Sequence, residues 1–491
     1  MSLFDELDRI FHPRSVAVAG VSGKERDWGG GNMFVRALKT AGFAGPIYPI
    51  NPRVDEFEGM KFYPSVRDVP GPVDHVISSI PSGGVLQLMD DCVAKGVRSV
   101  HFFTAGFRET GDADRAELEQ QVLAKARAGG VRIVGPNCMG LYVPESRLSF
   151  GDDFPVREGP VTFISQSGLN AEEVVRYAPL RGVYFSKVVS IGNAVDLNES
   201  DFLEYCAEDP DTEIVAAYLE GIKDGPRFRR VLSKASDAKP VIIVKGGATG
   251  AGTRAASSHT GSLAGSFAVW SGLVRQTNAV SVQTLEQLDD AIVAFRFLGP
   301  VSGPGVAIIG VGGGVSVLAA DAAERAGLPV PPIPADLQSS LREFIPIAGS
   351  SVRNPLDTHA LHDPAQFLKL CGILACAPEI HNLVAIARID WAFGRPNTNI
   401  DEFLTQMVKS LVEGQREAGR PLAVALTAPA KPNVMDAMLR FQTMAAEAGL
   451  AVYPTVQRAL EAIALVWPWY RERSERGLPE WRMPPAFAPA K

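Results

Sequence analysis

Cysteine is scarce in this chain, with five residues among 491, and histidine is nearly as rare, with seven. The cysteines are odd in number and include no Cys-x-x-Cys pair. Such usage argues against a disulfide framework and is typical of a reducing cytoplasm. We therefore expect no stapled secreted fold and no metal site on this chain.

Long apolar runs are also missing, since no segment reaches about 18 residues without a charge, and we expect no membrane span. The first ten residues are acidic and lack an apolar stretch, so no signal peptide is expected. The formal net charge of −7 gives no basic excess, which excludes the usual signature of a nucleic-acid-binding chain. These absences predict a cytoplasmic protein without nucleic-acid or membrane partners.

The length of 491 residues, 46% of them hydrophobic, indicates several folded domains at roughly 150 residues each. Apolar strand-like runs alternate with helical patterns, which predicts an α/β fold with parallel sheets and helices on both faces. Breaker-rich connectors divide the chain into three doubly wound domains in series, over 1–150, 151–300 and 301–470, with a proline-rich tail over 471–491. The strands are predicted at Ser15–Ala19, Ile47–Ile50, Val73–Ile80, Ser99–Phe103, Val131–Val134, Val161–Ile164, Phe185–Ser190, Ile214–Tyr218, Val241–Val244, Val306–Ile309, Leu383–Ala387, Leu422–Leu426 and Ala451–Val452.

A glycine loop, Gly20-Val21-Ser22-Gly23, follows the first predicted strand and precedes a helix predicted over Asn32–Thr40. Doubly wound folds bind phosphate at this position, because backbone N–H groups and a helix N-terminus face the ligand. The second strand ends at Asn51-Pro52-Arg53, where an NAD site would usually place a carboxylate for the ribose. Arg53 therefore favours a ligand with an extra phosphate, NADP or coenzyme A, over NAD. Ordinary turn residues are the alternative interpretation.

His259 lies in the segment ASSHTGSLAGS, surrounded by small and hydroxyl-bearing residues after a glycine-rich stretch. The composition predicts a mobile loop that brings backbone close to a bulky anion. A nucleophilic histidine needs one ring nitrogen free and the other held by an acceptor, which a carboxylate supplies. Glu220 follows a predicted strand, where sites collect in open α/β sheets. A purely structural histidine and a solvated carboxylate are the alternatives.

Two further strand-to-helix turns, ISQSGLN at 164–170 and VGGGVS at 311–316, each expose unpaired N–H groups at the positive end of a helix. Helix ends of this kind hold a phosphoryl group without lysine or arginine when they converge on one anion. Each turn taken alone is common in α/β folds.

Taken together, these segments resemble the NDP-forming acyl-CoA synthetase superfamily, which includes ADP-forming acetyl-CoA synthetase and succinyl-CoA synthetase. The resemblance covers about residues 10–465. It rests on the strings SVAVAGVS, IYPINPR, GPNCMGL, FISQSG, SIGNAVDLNESDFLEY, YLEGIKD, KPVIIVKGG and ASSHTGSLAGS. It implies a Rossmann-like CoA-binding domain followed by two flavodoxin-like ligase domains.

The resemblance also implies roles for individual residues. His259 corresponds to the histidine that becomes phosphorylated, and Glu220 to the carboxylate that orients it. The phosphohistidine is held by the helix starts at Ser167-Gly168 and Gly313-Gly314. Coenzyme A is expected at Gly20, Ser22, Asn51, Arg53, Ile80, Pro81 and Asn137. Cys138 belongs to the same turn and is not assigned as a nucleophile.

The implied reaction converts a small carboxylic acid, CoA and ATP into acyl-CoA, ADP and phosphate, through an acyl phosphate. No ATP-grasp domain is recognised in the sequence, so we expect a β-type partner subunit to hold ATP and Mg²⁺ in a hetero-oligomer. Two alternatives remain, a CoA or acyl-CoA sensor without turnover and an NADP-dependent oxidoreductase. Weak candidates for the acid pocket are Trp270, His359, Trp391 and Phe393.

Overall fold

The structure, a computed structural model, describes residues 2–24, 30–57, 59–260, 266–394, 398–427 and 431–484, with backbone only at 257–260. The chain divides into two compact units. The first unit comprises residues 1–179 and 184–283 and contains two large sheets. The second unit comprises residues 180–183 and 284–491 and contains one. No described helix is both long enough and apolar enough to cross a lipid bilayer.

The first sheet has five parallel strands in the order β2-β1-β5-β6-β7. Its central strands β1, β5 and β6 are buried along their whole length, as expected of a parallel sheet covered on both faces. A short hairpin, β3 and β4, lies beside it. The elements are α1 (Leu3–Phe11), β1 (Val16–Ala19), α2 (Gly31–Ala41), β2 (Ile47–Ile50), β3 (Glu56–Phe57), β4 (Met60–Lys61), β5 (His75–Ser78), α3 (Val85–Lys95), β6 (Ser99–Phe102), α4 (Ala113–Ala128) and β7 (Arg132–Val134).

The second sheet has six strands in the order β13-β12-β11-β9-β10-β8, all parallel except the edge strand β8, which runs antiparallel to β10. The elements are β8 (Gly140–Tyr142), β9 (Val161–Ser165), α5 (Gly168–Tyr177), β10 (Phe185–Ser190), α6 (Glu199–Glu208), β11 (Ile214–Leu219), α7 (Gly225–Ala238), β12 (Val241–Lys245), α8 (Gly250–Thr260), α9 (Phe267–Thr277) and β13 (Val280–Val282).

The third sheet, in the second compact unit, has five parallel strands in the order β15-β14-β16-β17-β18. Helix α10 belongs to this unit, where Asp290 pairs with Arg458 of α16 at 2.6 Å. The elements are α10 (Leu285–Phe297), β14 (Val306–Gly310), α11 (Gly313–Arg325), α12 (Ala335–Arg342), β15 (Leu356–Asp357), α13 (Pro364–Ala375), β16 (Asn382–Arg388), α14 (Ile400–Ala418), β17 (Leu422–Thr427), α15 (Pro432–Glu447), β18 (Ala451–Tyr453) and α16 (Val456–Glu475).

The predicted α/β class with three domains in series is confirmed, and every predicted strand coincides with an observed one. The strands that the sequence did not indicate, β3, β4, β8, β13 and β15, have only two or three residues each, too short for an alternation pattern. The boundaries at 150, 300 and 470 stay predictions. Strand β8 precedes the first of them yet pairs with the second sheet, and α16 continues to Glu475 inside the predicted tail.

A buried ion pair supports the second sheet. Lys187 on β10 and Asp209 at the end of α6 are each 1% exposed, and their charged atoms lie 2.8 Å apart. The rings of Phe11 and Tyr205 face the same ammonium group at 6.0 and 5.6 Å. Removing one member of such a pair leaves the other charge buried without compensation.

We expect Lys187→Met to lower the free energy of unfolding by about 3–5 kcal/mol, because the buried carboxylate of Asp209 would lose its ammonium partner. The matched control is Lys234→Met, which breaks the exposed pair of Lys234 with Glu208, 2.6 Å apart on the same domain. That control should cost only about 0–1 kcal/mol. Urea titration followed by circular dichroism measures both, and equal losses would contradict a structural role for the buried pair.

Candidate functional site

The predicted coenzyme-binding residues share one edge of the first sheet. Gly20 follows β1, Asn51 follows β2, Ile80 and Pro81 follow β5, and Asn137 follows β7. These strands are parallel neighbours, so their carboxyl ends lie side by side. Open α/β sheets bind ligands outside this edge. The positions are therefore arranged as a ligand lying along the edge requires.

Gly20 is placed where only glycine fits. Its φ is +93°, and a Cβ there would lie 2.5 Å from the carbonyl oxygen of Ser79. At the other end of the loop, a Cβ on Gly31 would lie 2.7 Å from the backbone nitrogen of Val21. The first residue of α2 thus sits directly against the end of β1. The loop between them includes residues 25–29, which lie outside the described part.

Side-chain amides brace this loop. The Ser22 N–H donates to Asn32 Oδ1 at 2.7 Å, and Asn32 Nδ2 donates back to the Ser22 carbonyl at 3.1 Å. Asn51 Nδ2 donates to the Val21 carbonyl at 2.7 Å, which ties the end of β2 to the loop. Arg53 is exposed, and its backbone N–H donates to Asn51 Oδ1 at 2.9 Å. Asn32 was not predicted from the sequence, where its only signal was its place at the helix start.

A threonine joins the remaining coenzyme candidates. Thr104 Oγ1 donates to the Ile80 carbonyl at 2.8 Å, and the Thr104 carbonyl accepts from the Asn137 N–H at 3.1 Å. Asn137 itself has φ +58°. Cys138 beside it is buried, and this desolvation raises the pKa of its thiol. The thiol is therefore suppressed as a nucleophile, as expected.

The loop after β10 in the second sheet lies against the end of β7. The Asn193 N–H donates to the Pro136 carbonyl at 2.9 Å, and a Cβ on Gly192 would lie 2.2 Å from the same oxygen. The Met139 N–H donates to Ser190 Oγ at 3.1 Å. Within the first unit, the edge of the first sheet that carries the coenzyme candidates therefore lies against the carboxyl edge of the second.

Glu220 is the buried carboxylate of that second edge, 5% exposed and directly after β11. Tyr218 O–H donates to Glu220 Oε1 at 3.2 Å, and Lys245 Nζ donates to the Glu220 carbonyl at 2.7 Å. Burial and the neighbouring carboxylate raise the pKa of Tyr218 to about 12, which keeps it a donor. Glu220 Oε2 is buried and has no hydrogen-bond partner among the described residues. One carboxylate oxygen is therefore held and the other is open to a donor.

The backbone of Glu220 is held by Gln166, which immediately follows β9. Gln166 Oε1 accepts from the N–H groups of Glu220 and Gly221, the latter at 3.0 Å, and its Nε2 donates to the Gly221 carbonyl at 2.9 Å. Neither Gln166 nor Tyr218 was predicted from the sequence as a site residue. Tyr218 stands two residues before Glu220 and so points to the same side of the strand, a signal that was available.

The first predicted phosphate site is the start of α5. Ser167 is the N-cap, and its Oγ accepts from the Asn170 N–H at 3.3 Å. A Cβ on Gly168 would lie 2.9 Å from Met139 Cγ, so the glycine permits the close approach of that side chain. In the described chain, no group accepts from the N–H of Gly168. The positive end of α5 is thus free for an anion.

His259 lies in the last turn of α8, so the predicted loop is helical up to Thr260. Its side chain and residues 261–265 lie outside the described residues. Helix α8 follows β12, the strand next to β11, and packs against the turn Arg108–Thr110. The backbone thus carries the histidine from the strand neighbouring Glu220 toward the loop that follows β6.

The second predicted phosphate site is the start of α11 in the second unit. The helix begins at Gly313 after Gly312, whose φ is +106°. The Gly312 N–H donates to Asp357 Oδ1 at 2.8 Å, which places a carboxylate at this helix end. A carboxylate there stabilises the helix and opposes a second anion. The assignment of Gly313 and Gly314 to phosphate stays a prediction.

The weak candidates for the acid pocket fall in different places. Trp270 is buried in the first unit and donates from Nε1 to Ser281 Oγ at 3.2 Å, which indicates packing. In the second unit, the His359 and Trp391 rings meet at 4.8 Å after β15 and β16. Phe393 packs against the core of the third sheet. The ring contact of His359 with Trp391 joins two of the four candidates within the second unit.

Comparison with known families gives three matches along the chain. Residues 14–144 match a CoA binding domain, residues 158–295 a succinyl-CoA ligase like flavodoxin domain, and residues 306–430 a ligase-CoA domain. The order agrees with the three predicted domains. No oxidoreductase family is needed to account for the first of them.

Several relatives match most of the chain. The α subunit of acetate–CoA ligase [ADP-forming] II from Pyrococcus furiosus is 34% identical over 453 residues, 92% of this chain and 98% of the relative. Acetate–CoA ligase [ADP-forming] I of Archaeoglobus fulgidus is 38% identical, over 72% of this chain and 50% of the relative. The structure of acetyl-coenzyme A synthetase 1 from Ca. Korarchaeum cryptofilum with phosphate and ADP superposes with a TM-score of 0.81 at 32% identity, covering 96% of this chain and 99% of that one. The chain therefore belongs to the family of ADP-forming acyl-CoA ligases, as a counterpart of their α subunits.

Proposed function

We propose that this chain forms acyl-CoA from a small carboxylic acid, CoA and ATP, through a phosphohistidine at His259 and an acyl phosphate. A phosphoryl group passes from ATP to His259 and then to a carboxylate oxygen of the acid, which restores the free histidine. The CoA sulfur then attacks the acyl carbon, forms the thioester and expels phosphate. Phosphorylation is needed because a carboxylate offers the thiol only a poor leaving group.

The observation that carries the proposal is the half-satisfied carboxylate of Glu220. A buried carboxylate oxygen without a donor is costly unless a ligand or side chain fills it. We assign Glu220 Oε2 as the acceptor for one ring N–H of His259. That bond leaves the other ring nitrogen unprotonated and nucleophilic toward phosphorus, and it stabilises the charge that develops on the ring.

The start of α5 is proposed to bind the phosphoryl group through the N–H of Gly168 beside Ser167. Gly313 and Gly314 at the start of α11 are proposed for the same role. Backbone N–H groups at a helix N-terminus suit an anion that must leave again, because their charge is partial and fixed. Coenzyme A is assigned to Gly20, Ser22, Asn51, Arg53, Ile80, Pro81 and Asn137 on the edge of the first sheet.

A second subunit is proposed to complete the enzyme. The Archaeoglobus relative is twice as long as the part that this chain matches, and the Pyrococcus relative is an α subunit. We infer that an ATP-grasp β-type subunit holds ATP and Mg²⁺ in a cytoplasmic hetero-oligomer, without nucleic acid or membrane. Among the described residues, no group of three histidine, cysteine, aspartate or glutamate side chains is placed to hold a metal ion.

The reverse half-reaction tests the chemistry on this chain alone, since it needs no nucleotide. We expect incubation with phosphate and a panel of acyl-CoAs to place an acid-labile phosphate on His259, detected by mass spectrometry. The acyl-CoA that reacts identifies the acid. His259→Ala should abolish the label and leave CoA binding intact.

Glu220→Gln should slow phosphorylation by at least about a hundredfold, because an amide does not select the required ring tautomer. Glu208→Gln, a change at the exposed pair with Lys234 on the same domain, is the matched control and should leave the rate unchanged. A protein that binds CoA but takes up no phosphate with any acyl-CoA, even with a β-type subunit added, would instead be a CoA sensor.

Gly20→Ala should weaken CoA binding at least about tenfold. The new Cβ would be strained at φ +93° and would press on the Ser79 carbonyl, and strain of about 1–3 kcal/mol spans that factor. Gly42→Ala at the far end of α2 is the control, with φ +80° and open space around its Cβ. Isothermal titration with CoA measures both. Equal affinities of the two variants for CoA would show that the glycine loop is not part of the coenzyme site.

A further inference from the structure

Gln166 links the N-terminus of α5 to Glu220, two groups to which the proposed function gives separate roles. It is the last residue before the N-cap of α5, and its side chain bonds to the segment that follows β11. There it is 5% exposed and bonded to three backbone groups of Glu220 and Gly221. One residue thus fixes both the phosphate-binding turn and the segment that carries the orienting carboxylate.

The side-chain hydrogen bonds of Gln166 begin where β9 and β11 stop pairing. Strands β9 and β11 pair in parallel as far as Ser165 and Tyr218, and the Gln166 N–H still donates to the Tyr218 carbonyl at 3.0 Å. Beyond that point the two segments separate. The segment after β9 enters α5, and the segment after β11 continues to Gly221. The Gln166 carboxamide continues the ladder for one more step, accepting and donating as a strand backbone would.

The other contacts of Glu220 restrain different parts of the residue. Tyr218 bonds to the carboxylate, and Lys245 bonds to the Glu220 carbonyl. A Cβ on Gly246 would lie 3.1 Å from Glu220 Cγ, so this neighbour limits the side chain from one side. These contacts come from β11 and β12, whereas Gln166 attaches Glu220 to β9 and therefore to α5.

We propose that Gln166 is a positioning residue, which acts through Glu220 by holding this carboxylate in register with the N-terminus of α5. The orientation of the His259 nucleophile and the position of the phosphate site then both depend on the connection through Gln166, and not on two independent loops. Transfer requires the ring nitrogen and the phosphorus to meet within a fraction of an ångström, so a small shift of Glu220 is costly. The inference rests on the proposed function of Glu220 and His259.

The test compares four proteins in the phosphate and acyl-CoA assay, namely wild type, Gln166→Met, Glu220→Gln and the double variant. Methionine keeps the volume and removes all three hydrogen bonds. We expect Gln166→Met to slow His259 phosphorylation by about a hundredfold, the effect of a misplacement near 1 Å. The double variant should be no slower than Glu220→Gln, because a residue that acts through Glu220 has nothing left to position.

Asn354→Leu is the control for loss of side-chain hydrogen bonds to the backbone as such. Asn354 Oδ1 accepts from the Ile308 N–H at 3.1 Å, and its Nδ2 donates to the carbonyls of Val306 and Pro331 at 2.7 and 2.9 Å. It therefore bonds three backbone groups, as Gln166 does, but at the third sheet. We expect its melting temperature to fall as in Gln166→Met while the phosphorylation rate stays near wild type.

Gln166→Glu supplies a second readout, which also serves if the methionine variant fails to fold. A protonated glutamic acid can accept from Gly221 N–H and donate to its carbonyl as the amide does, whereas the ionised form loses the donor. Burial raises the pKa of such a group. The rate of Gln166→Glu relative to wild type should therefore rise as the pH falls.

Three results would overturn the inference while leaving the proposed function intact, given a wild type that phosphorylates His259. The first is an unchanged phosphorylation rate in Gln166→Met. The second is a double variant in which the rate losses of the two single variants multiply. The third is a phosphorylation rate of Gln166→Glu, relative to wild type, that does not change with pH. A wild type that takes up no phosphate, with or without a β-type subunit, would instead overturn the proposed function and this inference with it.

Discussion

Parallel pairing of strands is the constraint on which the site depends. Because parallel neighbours point the same way, the loops that follow β1, β2, β5 and β7 must emerge at one edge, and those after β9, β10 and β11 at another. The loop after β10 joins these two edges through the Pro136 carbonyl. Residues that are far apart in sequence thereby come together at the strand ends, where open α/β sheets bind their ligands.

The sequence alone predicted the features that depend on residues close together in the chain. Strands long enough to show a pattern, the glycine at position 20 and the carboxylate at 220 all followed from neighbours in the chain. Gln166, Asn32 and Thr104 did not, since each acts on a backbone group of another segment, and only the tertiary pairing shows which one. The prediction of a loop where α8 lies was wrong for a different reason. Glycine and hydroxyl residues have low helix propensity, yet packing against the turn at Arg108–Thr110 outweighs a preference of about 1 kcal/mol per residue.

The two helix ends assigned to phosphate differ in their surroundings. The start of α5 keeps the Gly168 N–H available beside a neutral serine, whereas the start of α11 already has the carboxylate of Asp357 on its Gly312 N–H. On charge alone, the start of α5 is therefore the better anion site of the two helix ends. Gln166 directly precedes this candidate phosphate site.

Strand β8 has a consequence for how such proteins diversify. Its three residues leave the first domain and cap the second sheet beside β10. A coenzyme module cut out at the sequence boundary would expose the hydrogen-bonding groups of β10 as a free sheet margin, the kind of surface that recruits foreign strands and precipitates. Gene fusion or exchange is therefore tolerated far better outside this pair of domains than between them. The first two domains are expected to be inherited as an indivisible block.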